Sequence, residues 1–336
     1  MVDPLHATPP AGTPDAPDAI VAVRPLGFPW PTIDPFLFCA YHDDGYPQAN
    51  ADLGPAVPLA GRAIGQDFSR KDGWSMYHGE TVPGFPGHPH RGFETVTIVR
   101  KGLIDHADSL GAAARFGGGD VQWVTAGRGI VHSERKPERL RGDEYVNHGL
   151  QLWAALPREL EEVEPSFSHT GNGEIPELDE QGARVRVLIG EAFGIRSPVP
   201  TLMPTLYLDI ALPAGGRFVL PALAPELAIY TVDADVTIDG VLVEAHTMAL
   251  LPDARGATLE AEAPVRLMVV GGAPLDGPRF ITWNFVSSRR ERILQAGADW
   301  QAQRMGHVPG ETEFIPLPGP PFQVASPTPD TGTTPV

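Results

Sequence analysis

Two short runs of this sequence combine metal-ligand residue types with strand spacing. In His88-Pro89-His90 two imidazoles stand two residues apart. In an extended strand, side chains at i and i+2 share a face, so both can reach one ion. Pro89 has no N–H for a sheet ladder, which places the pair at a strand start or an edge. Beyond a glycine turn, Ala126-Gly127-Arg128-Gly129, the run Ile130-Val131-His132-Ser133-Glu134 repeats the spacing with His132 and Glu134. Glu94 competes with Glu134. If the period of two continues from His90, then His88, His90, Glu94, Val96 and Ile98 share the inward face. A site of three histidines and one carboxylate is thus closed by Glu134, by Glu94 or by both. A single His-x-His pair carries little weight, since such residues are more often ordinary polar groups of loops. The second His/Glu pair moves the balance toward a metal. This donor set suits Fe(II), and also Mn, Ni, Co, Cu or Zn. Four protein ligands on a six-coordinate ion leave two positions for dioxygen or a chelating substrate, whereas a closed structural zinc site more often draws on cysteine.

The elements that must hold these residues read as β-structure. The chain has 336 residues, of which 42% are hydrophobic and 20% charged, enough to bury a core and to make about two domains. Gly and Pro, 37 of each, favour a turn-rich all-β architecture over a helical bundle. The net charge of −17, with no basic run, argues against nucleic acid and anionic membrane surfaces as partners. The one cysteine, Cys39, lies in the apolar run Phe36-Leu37-Phe38-Cys39-Ala40. It excludes an internal disulfide and reads as a buried, inert thiol. Neither a signal peptide nor a membrane-length apolar segment is visible, so a cytoplasmic location is expected.

Strand-like runs cover Phe93 to Arg100, Val121 to Thr125, Ile130 to Glu134 and Leu150 to Ala155. They resume, after a Pro/Glu-rich stretch, from Val185 to Val270. Asp239-Gly240 between two Val/Ile runs signals a two-residue hairpin. One helix is expected from about Arg289 to Gln303. Ser288 and Glu291 have capping-box spacing, and Ile293, Ala296 and Trp300 make an apolar stripe that must dock. Residues 1–20 and 316–336 read as tails.

The stretch Gly87-His88-Pro89-His90-Arg91-Gly92-Phe93-Glu94-Thr95-Val96-Thr97, the segment His106-x-Asp108-Ser109-Leu110-Gly111 and the run Gly119 to Glu134 together resemble the pirin family of bicupins. Leu150-Gln151-Leu152-Trp153, Gly271-Gly272-Ala273-Pro274-Leu275 and Trp283-Asn284-Phe285-Val286-Ser287-Ser288 extend the likeness through about Pro25 to Leu317. The resemblance implies an all-β fold of two cupin-type antiparallel barrels with a short C-terminal helix. An N-terminal domain (21–160) would carry the metal site, and a C-terminal domain (161–275) would be metal-free. A segment with the docked helix (276–315) would follow. It also implies one divalent metal, Fe(II) for preference, held by His88, His90, His132 and Glu134.

The family's described activities give two functional expectations. The first is a quercetin 2,3-dioxygenase-like enzyme acting on a small aromatic substrate, with Glu134 as catalytic base. The second is a non-catalytic, iron-binding redox sensor acting through a protein partner. A monomer is expected in either case. Phe93, Val96 and Trp123 are candidates for barrel or pocket walls, with core packing favoured. His106, His148, His169 and His246 lack ligand spacing and read as surface or hydrogen-bonded residues, although His148 is also a candidate to hydrogen-bond a ligand. Gln48 to Tyr77 forms a longer lead-in than in the animal proteins and bears on the pocket mouth.

Overall fold

A computed structural model describes residues 19–25, 30–138, 145–252 and 254–319. The expected tails lie almost entirely outside them. Each half of the chain folds as facing antiparallel sheets. In the first half, a six-stranded sheet runs Ser166–Thr170, Val121–Thr125, Phe93–Lys101, Tyr145–Ala155, Phe36–Tyr46, Trp30–Pro31. It faces a four-stranded sheet in the order Gly84–His90, Ile130–Arg135, Leu103–Asp108, Ala113–Gly117. In the second half, a seven-stranded sheet has Thr205–Leu212 and Val265–Gly272 at its centre, and it faces the four strands Gly216–Leu220, Ala257–Ala261, Val236–Ile238 and Val241–Val243. Ala22–Pro25 pairs with Thr247–Leu250 of the second half, so the start of the chain ties the halves together. The hairpin at Asp239-Gly240 forms with both residues at positive φ, 48° and 84°, as its short loop requires. Among the described residues no helix is long and apolar enough to cross a membrane.

Alternation along the six-stranded sheet decides what each residue does. On Phe93–Lys101, residues Glu94, Val96 and Ile98 stand opposite Ala154, Leu152 and Leu150 on one side and Thr125, Trp123 and Val121 on the other. All of these except Glu94 and Thr125 belong to an apolar core shared with Leu188, Ile189, Tyr207, Tyr230, Met248 and Met268 of the second half. Cys39 is fully buried in that core, and burial pushes its thiol pKa well up. The other face of the same strand carries Phe93, Thr95 and Thr97, opposite Ala155, Trp153 and Gln151. This face looks into the first half. The second half is filled by its own apolar core, including Phe218, Leu220, Ile229 and Leu259.

The C-terminal helix spans Arg290–Gln301 and buries Ile293, Ala296 and Trp300 against Val131 and Phe285. The capping box does not form, and Arg289 at the N-cap makes no side-chain capping bond. Ser288 is instead taken by Glu161, whose carboxylate accepts from the Ser288 N–H at 2.8 Å and from the Ser287 hydroxyl at 2.7 Å. A buried acid with a competing claim on the serine overrides the local motif. Trp300 also donates through Nε1 to the Ile315 carbonyl at 3.0 Å, which holds the chain beyond the helix. Trp300→Ala should therefore cost about 3–5 kcal/mol, as for other buried aromatic truncations, and expose the 302–317 segment to protease. Urea unfolding and limited proteolysis check this, and wild-type behaviour in both would show that the helix is not the anchor.

Candidate metal centre

His88 and His90 lie on the strand Gly84–His90, and His132 and Glu134 lie on its antiparallel neighbour Ile130–Arg135. His88 pairs directly with His132, and Phe85 with Glu134. The register shifts between them, because Pro86 and Gly87 on one strand oppose the single Ser133 on the other. This bulge at Pro86-Gly87 turns both histidines of the first strand toward His132. The three imidazoles are 5%, 2% and 0% exposed, and one nitrogen from each lies within 4.8 Å of the others. His90 Nε2 and His132 Nε2 are 2.8 Å apart. Two ring lone pairs at that distance repel unless a proton or a cation lies between them.

Two of the rings, His88 and His132, are held from behind. His88 Nδ1 sits 2.7 Å from the Pro86 carbonyl, an acceptor only, so this nitrogen carries the hydrogen and Nε2 is the free donor atom. Burial depresses the basicity of all three histidines, to about 4 for His88 and well below the usual range for His90 and His132. They are therefore neutral at pH 7, which is the ligating form. His90 Nδ1 is buried without a partner. The donor set, its neutrality and the close approach of its nitrogens all fit a transition-metal ion.

Glu134 shares the cavity but is not part of the close imidazole cluster. Its carboxylate accepts from Gln151 Nε2 at 3.2 and 3.3 Å. Burial raises its pKa, with His106 and Gln151 working against that shift. The cavity in front of these groups has a volume of about 330 Å³. Phe38, Phe68, Phe85, Trp153 and Trp283 supply aromatic wall, and Asn284 and Gln151 supply polar points.

The mouth is built from two segments outside the sheets. Phe68 and His78 come from the lead-in and the turn that follows it, and Trp283, Asn284, Ile315 and Pro318 come from the C-terminal segment. The latter is strapped to the bulge, where Gly87 N–H donates to Glu313 and Ile315 N–H donates to Gly87. Arg135, next to Glu134, forms ion pairs with Glu311 and Glu313 at 2.8 and 2.7 Å. Gln151 and this strap carry no ligand-type motif, and sequence reasoning assigned them no place at the site. Strand parity points to Gln151, which is two residues from Trp153 on the inward face.

Glu94 is elsewhere. Arg91-Gly92 breaks the period, with Gly92 at φ 85° and its α-carbon so close to the chain that an added Cβ would lie 1.9 Å from the Val286 carbonyl oxygen. Beyond that break Glu94 falls on the face turned to the second half, where it is 0% exposed and accepts from Trp123 Nε1 at 3.0 Å and Thr125 Oγ1 at 2.6 Å. The expected shared face of His88, His90, Glu94, Val96 and Ile98 is thus split. Val96 and Trp123 pack in the core between the halves, while Phe93 lies tilted against Trp153, ring centroids 4.1 Å apart, behind the pocket wall.

Two family models match the chain: Pirin over residues 27–154 and the Pirin C-terminal cupin domain over residues 207–306. The chain belongs to the pirin family. A Pirin-like protein of Caulobacter vibrioides is 45% identical over 281 residues, covering 80% of this chain and 95% of that protein. Pirin of Homo sapiens is 36% identical over 244 residues, covering 70% and 82%. Among solved structures, quercetin 2,3-dioxygenase from Acinetobacter baumannii superposes with a TM-score of 0.70 at 25% identity, covering 86% of this chain and 96% of that one. The pirin-family bicupin fold is therefore that of this chain.

Burial raises the Glu94 pKa to about 7, against the bonds from Thr125 and Trp123 that favour its charged form. The native state thus holds a proton that the unfolded chain releases between its ordinary carboxyl pKa and about 7. Stability from this group is complete below the unfolded value and is lost as pH rises toward and through 7. Glu94→Gln should remove this loss, which is on the order of 3 kcal/mol at most. Relative to wild type the variant should gain stability between pH 5 and pH 8, with metal content unchanged. Urea titrations at the two pH values check the first point and elemental analysis the second.

Proposed function

We propose that this chain is a metal-dependent dioxygenase acting on a small, flavonol-like aromatic substrate. In this reading His88, His90, His132 and Glu134 hold one divalent metal, with Fe(II) preferred. The observation that carries it is the convergence of three buried, neutral imidazoles, of which His88 and His90 line an aromatic-walled cavity of about 330 Å³. That volume lies in the range of small-molecule sites. The likeness to a protein named quercetin 2,3-dioxygenase supports the substrate class.

When bound, the ion supplies Lewis-acid and dioxygen chemistry. The protein supplies position and proton handling. Trp153 stands edge-on to His90, with ring centroids 5.4 Å apart, and with Phe38 and Phe85 it makes flat apolar walls that orient a planar ring and exclude water. Gln151 holds the Glu134 carboxylate at the wall. There its carboxylate can accept the proton of a phenolic hydroxyl that reaches the cavity. The same side chain then supplies both a negative ligand and a base.

Anaerobic loading with Fe(II) should give one equivalent per chain, and the loaded protein should consume oxygen with quercetin. Replacing His88 and His90 together should abolish metal uptake and leave cooperative unfolding intact, since neither ring contributes to the apolar cores. Glu134→Gln should weaken metal affinity and abolish turnover. Full metal occupancy without oxygen uptake on any flavonol would remove the enzymatic reading and leave an iron-binding regulatory role.

A further inference from the structure

Behind His132 lies a buried chain of polar groups that the proposed reaction does not use. His106 and Asp108 lie on the strand Leu103–Asp108, which pairs with the His132 strand: His106 stands opposite Glu134, and Asp108 opposite His132. The side chains of His106 and Asp108 have no exposed surface. Asp108 Oδ2 is 3.0 Å from His106 Nε2, and His106 Nδ1 is 3.4 Å from His132 Nδ1. Asp108 Oδ1 accepts two backbone N–H groups, from Leu110 at 2.9 Å and Ala112 at 3.0 Å. Phe167 stacks on the His106 ring with centroids 4.2 Å apart and planes 13° apart, which fixes the ring plane.

Resting on the metal reading above, we infer that Asp108 and His106 are positioning residues that set the tautomer of His132. The argument follows the hydrogens. A carboxylate only accepts, so His106 carries its hydrogen on Nε2 and presents a lone pair at Nδ1. Across the 3.4 Å contact His132 Nδ1 must then be the donor. His132 Nε2 is left as a lone pair, directed at the point where His88 and His90 converge. Gln122 Nε2 lies 3.3 Å from the same His106 nitrogen as a second donor, which reinforces the acceptor state. A ligand imidazole whose other nitrogen is held by a partner keeps its orientation and basicity, and losing such a partner typically costs about 10–100-fold in metal affinity.

Asp108→Asn offers a sharp test because the site dictates how the amide must lie. The two N–H groups of Leu110 and Ala112 require an oxygen at the Oδ1 position. The amide nitrogen therefore points at His106 and donates to Nε2. His106 then carries its hydrogen on Nδ1, His132 Nδ1 must accept, and the His132 proton moves to Nε2, the nitrogen needed for the ion. Two-bond ¹H–¹⁵N spectra of the histidine-labelled apoprotein should show His132 as the Nδ1–H tautomer in wild type and as Nε2–H in Asp108→Asn. Ni(II) and Co(II) titrations should show 10–100-fold weaker binding in the variant at an unchanged apoprotein melting temperature. His106→Gln, which removes the ring, should weaken binding similarly and serves if Asp108→Asn does not fold. Wild-type tautomer and affinity in a folded Asp108→Asn would overturn the inference, as would undiminished affinity in His106→Gln. Failure of wild type to bind any of these metals would overturn the metal reading alone, because the tautomer shift is read without metal.

Discussion

Placing three imidazoles out of water with their nitrogens converging is the constraint on which the first half of this molecule is built. A charged histidine beside two others in an apolar cavity is untenable, so burial holds His88, His90 and His132 neutral. Where the second nitrogen of a neutral ring is occupied, the direction of its ligating nitrogen is fixed. The Pro86 carbonyl does this for His88, and His106 does it for His132. The bulge at Pro86-Gly87 exists in the same service: without the extra residue, pairing in step from Phe85 and Glu134 would turn His88 and His90 to the other face.

The six-stranded sheet divides two kinds of work between its faces. One face, with Phe38, Gln151 and Trp153, lines the cavity. The other, with Val96, Ile98, Leu150 and Leu152, seals against the second half. That half places apolar residues such as Phe218, Leu220 and Leu259 throughout its interior. It acts as a packed buttress that keeps the back of the pocket wall dry and rigid. Glu94, at the end of the sealed face, is held by Trp123 and Thr125 and is not part of the imidazole cluster.

The convergence of His88, His90 and His132 was legible in the sequence because strand period and residue type are local, and so were the hairpin at Asp239-Gly240 and the apolar stripe of the helix. Glu94 was misplaced because period counting assumed an unbroken strand across Arg91-Gly92. Only the approach of Val286, a residue far away in sequence, shows why glycine breaks it there. Ser288 fails as a cap for the same kind of reason, since Glu161 lies outside any local window. His106 was discounted as a lone histidine, although His106 and Asp108 have the same i, i+2 relation as the ligand pairs. Their meaning depends on which strand lies beside them, and that is a fact of topology.

The floor and the mouth of the cavity are held by different physics. Hairpin pairing and apolar burial fix the floor. The mouth is held by ion pairs and single backbone bonds between distant segments: Arg135 with Glu311 and Glu313, Arg91 with Asp299, Gly87 with Glu313 and Ile315. The lead-in has its own internal brace. Arg62 lies over the Trp74 ring at 3.5 Å and bonds Asp67 at 2.8 Å. Burial alone would push the Asp67 carboxyl up, but bonds from Ser69 and Arg62 bring it down to about 2. That brace presents Phe68 at the opening as a rigid unit, not as a loose loop. Because this brace makes no bond to the three histidines, changes in the lead-in can alter the opening while leaving the imidazole geometry in place.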